Sequence, residues 1–386
     1  MKQMMTEYAG QTELPRVCCA DQKGVEMQKP YAQAQSKATQ RAFERLPNST
    51  SPGETIKSSS LILLSLLILL GLSVASLYLG RYPVSLSSLV AYLFSGEYRD
   101  SNLPIVLLNI RLPRILGAVG VGGALAISGA AYQGMFRNPM VSPDILGVSS
   151  GAGFGAAFGI LLSLPIMGIQ ASSFVGGISA VLIAVSISKT LGRRHDSILV
   201  LVLSGIIISS LFGALLSLLK YVADPDDKLP AITYWLMGSL ANIRLADLWV
   251  IFPVLLLGTV PLMLVSWRLN VLSFGEDEAR SLGINTAKMR ALVMVCATLV
   301  TASVISFSGI IGWIGLLIPH LARFVAGPNH RWLLPTSFLF GAIFMLLVDN
   351  VARSVASVEI PIGIITSLVG APFFIYFLKN SSKQSW

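Results

Sequence analysis

Charge is scarce in this sequence. Asp, Glu, Lys and Arg together make up 12% of its 386 residues, about half the share found in an ordinary soluble domain. So few charges cannot cover the water-facing surface of a chain this long. Cysteine is nearly absent as well: Cys18 and Cys19 are neighbours and Cys296 stands alone, which gives neither a disulfide framework nor a metal-ligand spacing. Cys296 lies in an apolar run and reads as a small core hydrophobe. The three histidines are His195, His320 and His330, and no HExxH, no CxxC and no Ser/His/Asp set on a soluble scaffold accompanies them. No GxxxxGK[ST] loop is present to cradle phosphates, and neither GVGGAL (120–125) nor GAGFGA (151–156) completes a dinucleotide fingerprint. These absences argue against an enzyme, a metal site and nucleotide binding by this chain. Residues 1–57 also lack the apolar segment of a secretory signal.

What fills the sequence is apolar. Hydrophobic residues account for 54% and mean hydropathy is +0.72, which places the chain in a bilayer. A membrane-crossing helix takes about 20 mostly apolar residues, and the sequence holds ten such segments, near 59–80, 104–135, 145–165, 172–190, 197–220, 247–267, 290–309, 312–326, 333–355 and 361–379. The expected fold class is all-α, a polytopic membrane protein. The second segment is long and is expected to begin in the outer interface. The eighth is short and carries Pro319, which predicts a broken half-helix. Residues 1–57 form a polar tail expected to be disordered, in which 37–46 is a candidate short amphipathic helix and Met27 a candidate start. Residues 58–380 are the transmembrane domain and 381–386 a C-terminal tail.

Net charge is +9, and its distribution speaks of topology rather than nucleic acid. With the N-terminus placed inside, twenty Lys and Arg fall on the inner side and eight on the outer, so both termini are expected in the cytoplasm. Segment 221–246 then lies outside, with Tyr234 and Trp235 in a surface or shallow re-entrant helix. Gly151, Gly155 and Gly159 recur every four residues and so share a helix face suited to close packing. Gly120, Gly122, Gly123, Ala126, Gly129 and Ala130 make a second smooth face.

Among the apolar runs, 267–290 (WRLNVLSFGEDEARSLGINTAKMR) is a polar island. Glu276, Asp277 and Glu278 cluster as at a helix start, where acids favour the macrodipole. Gly283 ends that helix, and Asn285 or Thr286 caps the next. Two short helices joined by a glycine turn make a docking element for a partner outside the bilayer. An ordinary solvated loop is the alternative.

EARSLGI (278–284) resembles the coupling loop of bacterial ABC importer permeases. NIRLPRILGAVGVGGALAISGAAYQGMFRNPMVSPDILGVSSGAG (109–153), SGIIGWIGLLIPHLARFVAGPNHRWLLPTSFLFGAIFMLLVDNVARSV (308–355) and EIPIGIITSLVGAPFFIYFL (359–378) are similar to the permeases for iron chelates, haem and cobalamin, the FecCD type. The resemblance runs from about residue 60 to the end; the tail departs from it. It implies a type II importer permease of ten helices that works as a homodimer in the bacterial inner membrane among its lipids, with two ATP-binding cassette subunits and a periplasmic substrate-binding protein as partners. ATP would be bound by the partner ATPase, leaving this chain without a cofactor. By resemblance, Glu276, Asp277, Glu278, Ala279, Arg280, Leu282 and Gly283 are the ATPase-coupling residues. Arg111, Arg114 and Arg353 are candidate receptors for carboxylates of the binding protein, since a guanidinium meets a carboxylate bidentately; interfacial snorkelling is the plainer account of these arginines. Ser197, Leu199, Val200 and Leu203 are the candidate cytoplasmic gate. Arg137 and Asn138 are expected to end a helix on the inner side, within reach of the ATPase. Asp349 is an acid inside a span and so a functional candidate, although an intrahelical pair with Arg353 at i+4 is simpler. His320 is a candidate haem ligand, or a structural residue of a shared IPH element. The expected cargo is an iron(III) chelate such as a siderophore, with haem, cobalamin and molybdate as alternatives. An ion-coupled secondary transporter is the competing class; it would need more intramembrane acids and a repeat between halves.

Overall fold

The computed structural model describes residues 52–80, 102–192 and 197–381, together with positions 82, 84, 85 and 87. The tail segment 1–51, with its candidate helix at 37–46, lies outside the described residues, as do His195 and residues 382–386. Each of the ten apolar segments is one helix. These are α1 (Pro52–Tyr78), α2 (Leu112–Phe136), α3 (Val148–Leu161), α4 (Ile166–Leu191) and α5 (Ser197–Val222), then α7 (Leu245–Leu264), α10 (Thr286–Ser308), α11 (Ile314–Ala326), α12 (His330–Ser354) and α13 (Ile362–Ser381). Among the described residues, three short α-helices, α6 (Lys228–Leu236), α8 (Ser266–Phe274) and α9 (Glu276–Ser281), and a 3-10 turn at Pro143–Leu146 stand between them. Among the described residues, seven helical stretches are long and apolar enough to cross a membrane, and α3, α11 and α13 are shorter apolar helices. The protein is an all-α, multi-pass membrane protein.

The second stretch is helical over Ile105–Phe136, because a π-turn at Ile105–Arg111 runs directly into α2. At its other end Arg137 adopts a left-handed conformation, φ 51°, and Asn138 N–H donates to Gln133 O at 3.2 Å. The helix stops there, as the sequence at Arg137 and Asn138 suggests. Pro319 does not break α11. The helix continues through it, and the Gly315 carbonyl, which a proline four residues on cannot engage, lies where a Cβ on Gly129 of α2 would sit.

Small residues set the tightest contacts. A Cβ on Gly151 would fall on the Gly176 carbonyl, and one on Gly155 on the Ser172 carbonyl, so α3 and α4 touch backbone to backbone. Gly122 of α2 and Gly341 of α12 do the same to each other. These two helices are antiparallel, since Gly134 at the end of α2 lies against His330 at the start of α12 and Arg114 at the start of α2 meets Asp349 near the end of α12. Without a hydrophobic force between helices in lipid, association rests on such close van der Waals packing. Cys296 is buried in the core, as its apolar setting implied. The helix within 221–246 is α6, whose Ile232 is buried and whose Tyr234 is exposed.

Candidate functional site: the polar hairpin and the buried arginines

The polar island folds as a hairpin of two short helices between α7 and α10. Helix α8 is its seat. Leu269, Val271 and Leu272 are buried in the cluster that holds Tyr132, Met135 and Phe136 of α2 and Leu333 of α12. Gly275 ends α8 at φ 142° and α9 begins at once with Glu276, Asp277 and Glu278. The other end of α9 is closed by a Schellman motif: Gly283 N–H donates to Arg280 O and Ile284 N–H to Ala279 O, both at 2.9 Å. Such a closure requires a left-handed residue, supplied by Gly283 at φ 79°. The side chain of Asn285 then caps α10 by accepting from Lys288 N–H at 3.0 Å. The acid cluster, the glycine turn and the Asn cap thus take the places their chemistry suggested.

The residues of this segment divide by face. Phe274, Asp277, Glu278, Arg280, Ser281, Leu282 and Gly283 are exposed, Leu282 at 45% and Phe274 at 48%. Nothing lies within 4 Å of a Cβ built on Gly283. Ala279 is fully buried and packs inward, so it seats the hairpin and does not belong to the outward face. Glu276 is taken up within the protein, paired with Arg290 of α10 and with Arg280 at 3.2 Å. An exposed strip of mixed charge with two apolar side chains, carried on a helix whose 269–272 stretch is buried, suits a protein partner better than a solvated linker.

At the opposite end of α2 and α12 lies a buried ionic network. Arg114 Nε donates to Asp349 Oδ1 at 2.7 Å and its Nη1 to Glu359 at 2.9 Å. Arg353 Nε stands 3.7 Å from Asp349 Oδ2, while its Nη2 donates to Ser76 O at 2.7 Å and reaches Asn350 Oδ1. Arg111 donates to the carbonyls of Leu77, Tyr78 and Tyr82. The three arginines are 3%, 5% and 5% exposed in sequence order. Snorkelling into water is therefore overturned, because each guanidinium ends on protein oxygens. Nor is any of the three held out as a free receptor for an outside carboxylate in this arrangement. The i+4 pair of Asp349 with Arg353 exists, but the shorter bond of Asp349 goes to Arg114, 235 positions away in sequence. Sequence reasoning had no signal for that partner.

A profile of the FecCD transport family matches residues 66–380. The chain belongs to the FecCD transport family. It is 44% identical over 324 residues to the molybdate import system permease protein MolB of Haemophilus influenzae, covering 82% of this chain and 96% of that one. It is 44% identical over 278 residues to a probable iron chelatin transport system permease protein of Helicobacter pylori, covering 72% and 83%. A solved ABC transporter chain of metal-chelate type, in an inward-facing conformation, matches with a TM-score of 0.76 and 41% identity over 83% of this chain and 99% of that chain. The protein is an ABC importer permease, a non-catalytic membrane subunit.

In this FecCD permease the candidate gate residues sit at the start of α5. Leu199 and Leu203 are exposed at 58% and 49% and Val200 is half-buried; the side chain of Ser197 lies outside the described residues. Leu199, Leu203, Ile206, Ile207 and Leu211 continue as one exposed apolar strip along α5. His320 is half-buried on α11. Sequence reasoning missed Asn270, which is buried in α8 and hydrogen-bonded to Asn329 and His330. An Asn amid Leu269, Val271 and Leu272 in an otherwise buried stretch was the available sign.

Proposed function

We propose that this permease works as a pair of identical subunits in the bacterial inner membrane, with both termini in the cytoplasm, and imports an iron(III) chelate such as a siderophore. Two separate ATPase subunits would drive it through the 276–283 face, and a periplasmic binding protein would deliver the cargo at the end where α2 starts and α12 finishes. The observation that carries this reading is the hairpin: Leu269, Val271 and Leu272 of α8 are buried against α2 and α12 while Asp277, Glu278, Arg280, Leu282 and Gly283 face outward. Coupling through that face leaves nucleotide chemistry to the partner. The exposed apolar strip of α5 is the natural surface for the second copy and for the path. Docking of the binding protein at Arg114 would have to exchange with Glu359, whose side chain is 31% exposed.

An apolar, weakly interacting path favours a bulky chelate whose charge is wrapped by its ligands over a small bare oxyanion. Molybdate is the second reading, supported by the 44% identity to MolB across 96% of that chain. The test is uptake by the permease reconstituted in vesicles with its ATPase and binding protein. ATP-dependent accumulation of labelled iron(III) siderophore is expected, with unlabelled molybdate failing to compete. ATP-dependent accumulation of molybdate in place of the chelate would select the second reading, and uphill transport by the permease without an ATPase would refute the importer scheme.

A further inference from the structure

The exposed turn of the hairpin is attached to the membrane-embedded helices on two sides, through α8 and through α10. Helix α9 packs on α8 and α10, and α8 packs in turn on α2 and α12. Most of the α8 contact is apolar and therefore non-directional. Asn270 is different. It is 7% exposed, and its Nδ2 donates to Asn329 Oδ1 at 2.8 Å. Asn329 Oδ1 also accepts from Arg331 N–H at 3.0 Å, which fixes both amide orientations. The Asn270 Oδ1 left over accepts from the His330 backbone N–H at 2.7 Å and lies 2.8 Å from His330 Nδ1. Since the backbone donor identifies this oxygen as an acceptor, the imidazole must carry its proton on Nδ1. Its Nε2 has no hydrogen-bond partner and occupies the space that a Cβ on Gly134 would need.

One side chain of the hairpin therefore holds the N-terminus of α12 in a fixed direction and, through the imidazole, the last turn of α2. These are the two helices that touch backbone to backbone at Gly122 and Gly341 and are clasped at their other end by Arg114 and Asp349. We propose that Asn270 is the positioning residue that delivers displacement of the hairpin to the α2–α12 pair, and through it to the opposite end of the protein. Apolar contacts allow α8 to slide in register; the two-sided amide clamp does not. The inference rests on the proposed role of the hairpin in ATPase docking.

The test is hydrogen–deuterium exchange on the full permease–ATPase complex, with and without vanadate-trapped ATP, read at the hairpin (276–285) and at the far turn (355–361). In the wild type both segments are expected to change exchange rate on trapping. In Asn270→Ala the hairpin is expected to respond as before while the far-turn response falls by about fivefold, the scale of a single coupling contact. Gly134→Ala, whose methyl group would fall on the imidazole Nε2 and must displace the ring that bonds Asn270, leaves the hairpin sequence intact and is expected to reproduce the loss, and the double variant to add nothing further. It also stands in if Asn270→Ala does not assemble. A full far-turn response in either assembled variant overturns the proposal, as does a wild type whose hairpin responds and whose far turn does not. Absence of any nucleotide response at the wild-type hairpin sinks the docking role instead.

Discussion

Gly283 and Asp349 show how single residues carry this protein. Gly283 closes α9 at φ 79° with open space around it. A non-glycine residue in the left-handed region costs about 1–2 kcal/mol, with Asn the least penalised. Gly283→Trp, strained and bulky on the partner-facing strip, is expected to abolish uptake while the permease still inserts and folds, and Gly283→Asn to retain uptake. Wild-type uptake by the tryptophan variant would exclude this turn from the coupling surface. Asp349 is 0% exposed between Arg114 and Arg353. Removing the acid takes away the carboxylate paired with buried Arg353 and leaves Arg114 with Glu359 alone, and breaking a buried pair in this way costs about 3–5 kcal/mol. Asp349→Ala is expected to lower the thermal midpoint of the detergent-solubilised protein well below that of a surface substitution such as Asp277→Ala. Equal midpoints for the two variants would show that the network is not a stabilising clasp.

At the scale of helices, the close approaches decide what can be changed. Gly151 and Gly155 bring α3 within backbone contact of α4. A side chain there meets a carbonyl oxygen and not a movable side chain, so the helices must part along their length. Overpacking costs about 1–3 kcal/mol when neighbours can shift, and here they cannot shift without losing the whole seam. Gly151→Leu is expected to reduce the yield of folded permease and its thermal midpoint, whereas Gly213→Leu on α5, with nothing within 4 Å of its Cβ position, is expected to leave both unchanged. The comparison is read by size exclusion and thermal unfolding in the same detergent; similar losses at both positions would rule out the seam as the cause.

For the whole molecule, the two-sided architecture makes two further expectations measurable. The chain carries no phosphate-binding loop, so calorimetry on the purified permease is expected to detect no saturable ATP binding until an ATPase subunit is added. The hairpin is expected to face the cytoplasm. A cysteine placed at exposed Ser281, in a chain whose Cys18 and Cys19 are replaced by Ser, is expected to react with an impermeant maleimide only from the cytoplasmic side. Labelling from the outer side would reverse the topology and with it the assignment of the coupling surface.

The amino-acid sequence alone determined where the helices lie and which segment leaves the apolar phase. A bilayer demands long apolar runs and satisfied backbone, so composition is read almost directly as architecture; the ten runs became ten helices. Local chemistry was legible for the same reason: a helix start at Glu276, a left-handed closure at Gly283 and a cap at Asn285 each depend on neighbours within a few positions. Tertiary structure alone decided which partner a polar side chain finds. Arg114 bonds Asp349 across 235 positions and Asn270 bonds His330 across 60, and no periodicity announces such pairs. It also decided which residues of the polar island face outward, turning Ala279 in and Leu282 out. The physical reason is range: hydropathy and capping act along the chain, whereas burial and ionic pairing are fixed only when distant helices meet.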